Sequence, residues 1–242
     1  MWPASTSTPK SNRWDIRPDS ERGGGLPVDR DFVFAAVADE RRRLADLLGG
    51  LDAAQLATPS LCAGWDVKTV GAHIVSTVMD GTPTFLRVAL RRGSMARAID
   101  ELARHRARLP APEIVASLRG CADRPISPPL AGPLDPLADV LVHGGDIRIP
   151  LALPFRPDPL LAALAMDFLT GPWPFGFVPL GRRRGISLRA TDIRGEWGTG
   201  AEIRGPVAAL MMAISGRTAL LHLLDGPGLP RLRERVAGRF PT

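Results

Sequence analysis

Asp139-Val140-Leu141-Val142-His143-Gly144-Gly145-Asp146-Ile147, in the middle third of the chain, is the stretch whose reading decides the fold. Asp139 and His143 are four residues apart, so on a helix they stack on one face, one turn apart, and Asp146 continues the line at i+7. Val140 and Ile147 flank this line on one side and Val142 on the other. A narrow stripe of acid and imidazole bounded by apolar residues differs from an ordinary solvated face, which is polar across its whole width. The spacing predicts a helix from about Leu134 to Ile149, stopped by Pro150.

Working outward, the residues before this helix also read as helices. Asp29 to Leu48 carries Phe32, Val33, Ala36, Val37, Leu44, Leu47 and Leu48 at helical spacing, closed by Gly49-Gly50. A loop from Leu51 passes Thr58-Pro59-Ser60 and Gly64-Trp65. Asp66 then serves as N-cap for a long second helix reaching about Arg92, with Val67, Val70, Ile74, Val78, Gly81, Phe85 and Val88 as its apolar stripe. A third stretch starts near Ser94, breaks at Pro110 and Pro112, and resumes to about Cys121. Pro125 to Pro133 is a Pro-rich crossover into the fourth helix. Four helices with one long connection describe a bundle, and bundles build metal sites from side chains on facing helices.

The second half changes character. A helix near Asp158 to Thr170 leads into a Pro/Gly/aromatic stretch, Gly171 to Gly185. Ile186, Leu188 and Ala190 then alternate with polar residues at the strand period. Short strands are expected around Ile193 to Trp197 and Ala201 to Arg204, with a Gly198-Thr199-Gly200 turn between them. Pro206 opens a helix at its first position, and more helix follows Gly216 and Pro230. The fold class is α+β: residues 1–28 a disordered leader, 29–152 a helical bundle, 153–242 a small α+β domain.

Composition narrows the function classes. The chain has 242 residues, 45% hydrophobic and 23% charged, which is ordinary for a folded protein. No run approaches the roughly 18 apolar residues that span a bilayer, and the leader, ending in Gly23-Gly24-Gly25, lacks the apolar core of a secretory signal. Cys62 and Cys121 do not make a disulfide framework, which places the protein in a reducing cytoplasm. The net charge of +6 comes from arginine, since Lys10 and Lys68 are the sole lysines. The arginines fall in small groups, Arg41-Arg42-Arg43, Arg91-Arg92 and Arg182-Arg183-Arg184, without interleaved aromatics, so neither nucleic acid nor membrane is expected as a partner.

Four histidines are present, which makes their placement informative. His73 falls at the edge of the second helix's apolar stripe, and Thr77, Asp80 and Thr84 continue that line. Two imidazoles and a carboxylate are the ligand set of catalytic zinc sites, which keep one position open for water or substrate. The same set also suits Ni²⁺, Co²⁺ or Fe²⁺. The spacing also describes a satisfied core histidine at His73 and a helix-surface pair at Asp139 and His143, and by itself it favours that plainer reading.

Leu61-Cys62-Ala63-Gly64-Trp65-Asp66-Val67, then His73, then Asp139 to Ile147, resemble in order and spacing the mycothiol-dependent maleylpyruvate isomerase family. Trp197-Gly198-Thr199-Gly200-Ala201-Glu202-Ile203-Arg204-Gly205-Pro206 and Gly216-Arg217 look like its C-terminal part. The resemblance covers about residues 29 to 230 and implies a DinB-like four-helix metal-binding bundle followed by a C-terminal α/β domain. It implies His73, Asp139 and His143 as ligands of a divalent metal, zinc first, with mycothiol as thiol cosubstrate. Coordination deprotonates a thiol at neutral pH, and a thiolate can add to an activated double bond, permit rotation and leave, or attack an electrophile and stay attached. Where the isomerase carries glutamate, this chain has Asp139, one methylene shorter. The alternative is therefore a non-catalytic metal-binding or stress-linked module with a weakened site.

Other residues have both a functional and a plainer reading. Arg217 faces either a substrate carboxylate or an inter-domain partner. Asp146 orients His143 or a bound water, or pairs with an arginine. Cys62 reads as a small buried apolar residue, Trp65 as a plug above the bundle, His105 as solvated and His222 as structural. The expected partners are a small thiol and a small electrophile, for a monomer or homodimer.

Overall fold

The computed structural model describes residues 29–126, 132–172, 174, 176–179 and 181–237. The leader 1–28, with its glycine linker, and the middle of the Pro-rich crossover lie outside them. Among the described residues there are ten α-helices and a three-stranded sheet, an α+β fold, as expected.

The first helix, α1 (Arg30–Gly49), is capped by Asp29, whose carboxylate accepts from the backbone of Asp31 and Phe32. The loop that follows holds a single helical turn, α2 (Ala53–Leu56), which the sequence reading passed over although Asp52 and Gln55 form a capping box. The long second helix is in fact two: α3 (Val67–Met79), capped by Asp66, and α4 (Gly81–Arg92). The break has a local cause. Gly81 adopts φ +72°, which a glycine tolerates and other residues resist. Asp80, at the corner, pairs with Ser76 and with Arg106, so its side chain serves the turn and not a continuing seam. Thr84 consequently leaves the line that His73 begins.

Ser94 caps α5 (Met95–Arg106), and α6 (Ala111–Cys121) starts after Pro110. The metal-type stripe lies on α7 (Leu134–Arg148). Four of these helices form a square in which α1 touches α6 and α7, and α3 touches the same two. α5 lies outside α3 and carries α4 in turn. This arrangement sets the inner faces of α3 and α7 against each other.

After α7 comes α8 (Pro159–Leu169), capped by Asp158. Strands β1 (Ile186–Ala190), β2 (Glu196–Gly198) and β3 (Ala201–Gly205) run in the order β2-β1-β3. β1 pairs antiparallel with β2, Leu188 opposite Trp197, and parallel with β3, Leu188 opposite Ile203. The strand expected from Ile193 begins only at Glu196, because residues 191–194 form bends. Pro206 is the N-cap of α9 (Val207–Ile214) rather than its first residue. After Gly216 there is only a 3-10 turn at Leu221–Leu223, and the last helix, α10 (Leu229–Ala237), contains Pro230 in its first turn.

One continuous cluster of buried apolar side chains joins Val33 and Leu44 on α1, Ile74 on α3, Leu137 and Ile147 on α7, Met166 on α8, Ile203 in the sheet and Met211 on α9. The sheet is pinned to α8 where the Trp197 indole donates to Asp167 at 2.7 Å. No helix among the described residues is long and apolar enough to cross a membrane.

Candidate metal centre

His73 sits midway along α3 and points at α7, because it borders the stripe that packs there. It meets Asp139 from α7: Nε2 of His73 lies 3.3 Å from Asp139 Oδ1. One turn further along α7, His143 brings its own Nε2 to 3.4 Å from the same oxygen. One ligand atom from each of the three lies within 4.8 Å of the others. Both imidazoles are nearly shielded from solvent, with 8% and 7% of their side chains exposed, against 14% for Asp139.

The far nitrogen of His143 is held more closely than the near one. Its Nδ1 lies 2.9 Å from Asp146 Oδ2, and Asp146 is fully buried. Arg217, from the turn after α9, donates to both oxygens of Asp146, through Nε at 2.9 Å and a terminal nitrogen at 2.6 Å. Its other terminal nitrogen donates to the Ser215 carbonyl at 2.7 Å. Burial pushes Asp146 up, but the bonds from His143 and Arg217 outweigh it and hold the carboxyl below the usual carboxylate range. An ionised Asp146 can only accept, so Nδ1 of His143 carries the hydrogen and Nε2 is the atom turned to the cluster. All three side-chain nitrogens of Arg217 are thus engaged by Asp146 and Ser215.

The electrostatics fit a cation. Burial works against ionising Asp139, yet the charges and hydrogen bonds of His73 and His143 overcome it and push its carboxyl far below the ordinary value. Burial also lowers His143, but bonds from Asp139 and Asp146 reverse the effect and raise it to about 9. In a centre of this kind a proton and a metal ion compete for the same imidazole lone pair. The carboxylate of Asp139, shorter by a methylene than glutamate, lies within 3.4 Å of the Nε2 atoms of both imidazoles.

Trp65 closes the cluster from outside α3. Its ring centroid lies 5.1 Å from that of His73 and 6.3 Å from that of His143. The indole donates to Asp100 at 2.7 Å, and Arg104 braces both Asp100 and the Gly64 carbonyl. The loop is tied to α7 as well, since the Leu61 amide donates to the Asp146 carbonyl at 3.2 Å. Cys62, half-buried in this loop, has its thiol pushed up to about 11, by burial first, with the nearby Arg217 pulling the other way. A thiol so disfavoured as thiolate matches the structural role read for it. His105 is exposed, as expected, whereas His222 is also exposed, with one hydrogen bond to the Ala219 carbonyl.

Two residues escaped the sequence reading. Asp135 lies one turn before Asp139 on the same face, half-buried, and is raised to about 7, by burial first and then by the charge of Asp139. Its i−4 spacing is visible in the sequence, but an acid in the first turn of a helix ordinarily serves the helix dipole, and nothing local signals its burial. Arg41, scattered among basic neighbours in the sequence, is buried and donates to the carbonyls of Ala122 and Arg124, fastening α1 to the end of α6.

The elements define a helical bundle with an inward-facing His/His/carboxylate cluster, backed by a small α+β part. Residues 37–127 match the family model of the mycothiol maleylpyruvate isomerase N-terminal domain. Two solved structures have the same fold. One is the crystal structure of the mycothiol-dependent maleylpyruvate isomerase, with 14% identity and a TM-score of 0.53 over 88% of this chain and 93% of that one. The other is a mutant of that isomerase, with 13% identity, a TM-score of 0.53 and the same coverage. Identities this low speak for the fold alone. The family model and the shared fold together bear out the family resemblance read from the sequence. No curated protein matches the chain by sequence.

Proposed function

We propose that this protein is a metal-dependent enzyme that uses a low-molecular-weight thiol of the mycothiol kind to isomerise, or transfer the thiol to, a small electrophilic substrate. The observation that carries the reading is the convergence of His73, Asp139 and His143, from two helices, to within 4.8 Å. On this reading those three residues hold one divalent cation, zinc being the first candidate for an N/N/O set. When bound, such a cation supplies a neutral-pH route from thiol to thiolate.

The remaining chemistry belongs to the chain. Asp139 stays ionised and provides the charge that balances the cation. Asp146 keeps His143 in the tautomer whose Nε2 lone pair faces the centre, and Arg217 keeps Asp146 ionised and in place. Trp65 covers the imidazoles on one side and keeps water from them. Direct reach of the Asp139 carboxylate to both imidazoles supports a competent site over the alternative of a weakened, non-catalytic one. A thiol cosubstrate is supported by the family model and by what the similar structures are described as.

The test is metal analysis of protein purified without chelators or nickel resin, followed by assay with mycothiol and an unsaturated acid. About one divalent ion per chain is expected, and His73→Ala or His143→Ala should remove both the ion and the thiol-dependent turnover while circular dichroism stays unchanged. An active preparation free of metal overturns the proposal.

A further inference from the structure

α7 has a second working face. Asp139, His143 and Asp146 look toward α3, while Val140, Leu141, Gly144 and Arg148 lie roughly on the opposite side of the helix. There a cleft of about 350 Å³ opens between α1, α7 and the segment that links α7 to α8, a volume at the lower end of small-molecule sites. Leu44, Val140 and Leu141, all buried, and the half-buried Phe155 contribute its apolar lining. Gly144 leaves room in it, since a Cβ there would meet only Leu44 Cδ2, at 3.8 Å.

The charges around the cleft are unbalanced in a specific way. Five charged residues line it: Glu40, Arg43, Arg148, Arg156 and Asp158. Glu40 is taken by Arg43. Asp158 is turned to the start of α8, accepting from Leu160 at 2.8 Å and Leu161 at 3.3 Å. Both acids are thus committed within the fold. Among the described residues the guanidinium groups of Arg148 and Arg156 have no hydrogen-bonding or ionic partner. The wall that carries Arg156 is preformed. Leu153 donates back to the Arg148 carbonyl at 2.9 Å, Asp158 anchors the other end, and Pro154 and Pro157 stiffen the span.

We propose that this cleft is a binding site for a small organic anion: a carboxylate held by Arg148 and Arg156, on a hydrocarbon body lying against Phe155. A guanidinium recognises a carboxylate by geometry as well as charge, two of them line this cleft, and Phe155 adds apolar contact that an inorganic anion cannot use. The site is separate from the metal centre and does not depend on what that centre binds.

Isothermal titration of the full chain with octanoate tests it, alongside 1-octanol and inorganic phosphate. Saturable octanoate binding is expected, with 1-octanol and phosphate each at least about tenfold weaker. The Arg148→Gln/Arg156→Gln variant should lose at least about tenfold in octanoate affinity. Gly144→Leu, which adds bulk to the lining without touching either arginine, should lose it too, with both variants melting cooperatively. Chelator-treated protein should bind octanoate as the untreated protein does. Absence of saturable binding overturns the proposal, and so does binding that ignores the arginines. Binding that vanishes with the chelator assigns the carboxylate to the metal centre and overturns it as well. Phosphate binding as tightly as octanoate overturns the assignment of an organic ligand.

Discussion

Asp135 is the residue whose environment makes the sharpest demand on solution behaviour. Its carboxyl is raised from 3.8 to about 7, by burial and then by the charge of Asp139 one turn away. The folded chain therefore keeps a proton that the unfolded chain has already released between about pH 4 and pH 7. Stability must fall as pH rises through that window and level off above about 7. At about 1.4 kcal/mol per unit the ceiling is near 4 kcal/mol, and solvent around a half-buried side chain reduces it to about 1–2 kcal/mol. Asp135→Asn removes the loss, so in chelator-treated protein its urea midpoint should gain on the wild type steadily from pH 4.5 to 7.5. Parallel profiles for the two proteins would show that Asp135 titrates normally. At this scale the sequence was partly transparent. Spacing exposed Asp139, His143 and Asp146 because a helix of fixed period turns separation into direction. It hid Asp100 and Arg41, whose partners lie on other elements, 35 and about 80 positions away.

Elements were legible where their ends carry chemistry. Asp29, Asp66, Ser94 and Asp158 each cap the helix expected after them, because a side-chain acceptor satisfies amides that the helix cannot. The break at Gly81 was not legible, since one glycine in a periodic run is compatible with an uninterrupted helix until neighbouring elements pack. Two other glycines separate conformation from space. Gly93, the C-cap of α4, has φ +63° and open surroundings, with nothing within 4 Å of a Cβ. Gly200, in the turn before β3, has φ +133°, and a Cβ there would lie 2.3 Å from the carbonyl carbon of Gly185. Gly93→Ala should thus cost only the left-handed backbone penalty, about 1 kcal/mol. Gly200→Ala adds a collision with backbone that cannot swing aside, in the ladder of the sheet, and should cost at least about 3 kcal/mol. Equal losses in urea denaturation of the two variants would mean that the β2–β3 turn yields where its packing says it should not.

One long-range contact that no local pattern announces ties the C-terminal part of the chain to the candidate metal centre. Arg217 meets Asp146 from 71 residues further along the chain, and through Asp146 it fixes His143. If the cluster holds a cation, the turn after α9 supports a ligand set that belongs wholly to α3 and α7. Removing either partner leaves a buried charge without its counterpart, a loss of about 3–5 kcal/mol. Asp146→Ala and Arg217→Gln should each destabilise the protein by that order. The double variant Asp146→Ala/Arg217→Gln should cost much less than their sum, because it leaves no orphaned ion. The metal response separates support of the centre from mere packing. A divalent ion at a hundred times its dissociation constant should stabilise the wild type by about 2.7 kcal/mol. Loosening a partner of a ligating histidine typically weakens binding about 10–100-fold. At the same ion concentration each single variant should therefore keep only a fraction of the metal-induced rise in melting temperature, although neither residue lies in the cluster itself. An undiminished rise in both variants would mean that His143 is positioned by helix packing alone, and that the two halves share a core without sharing the site.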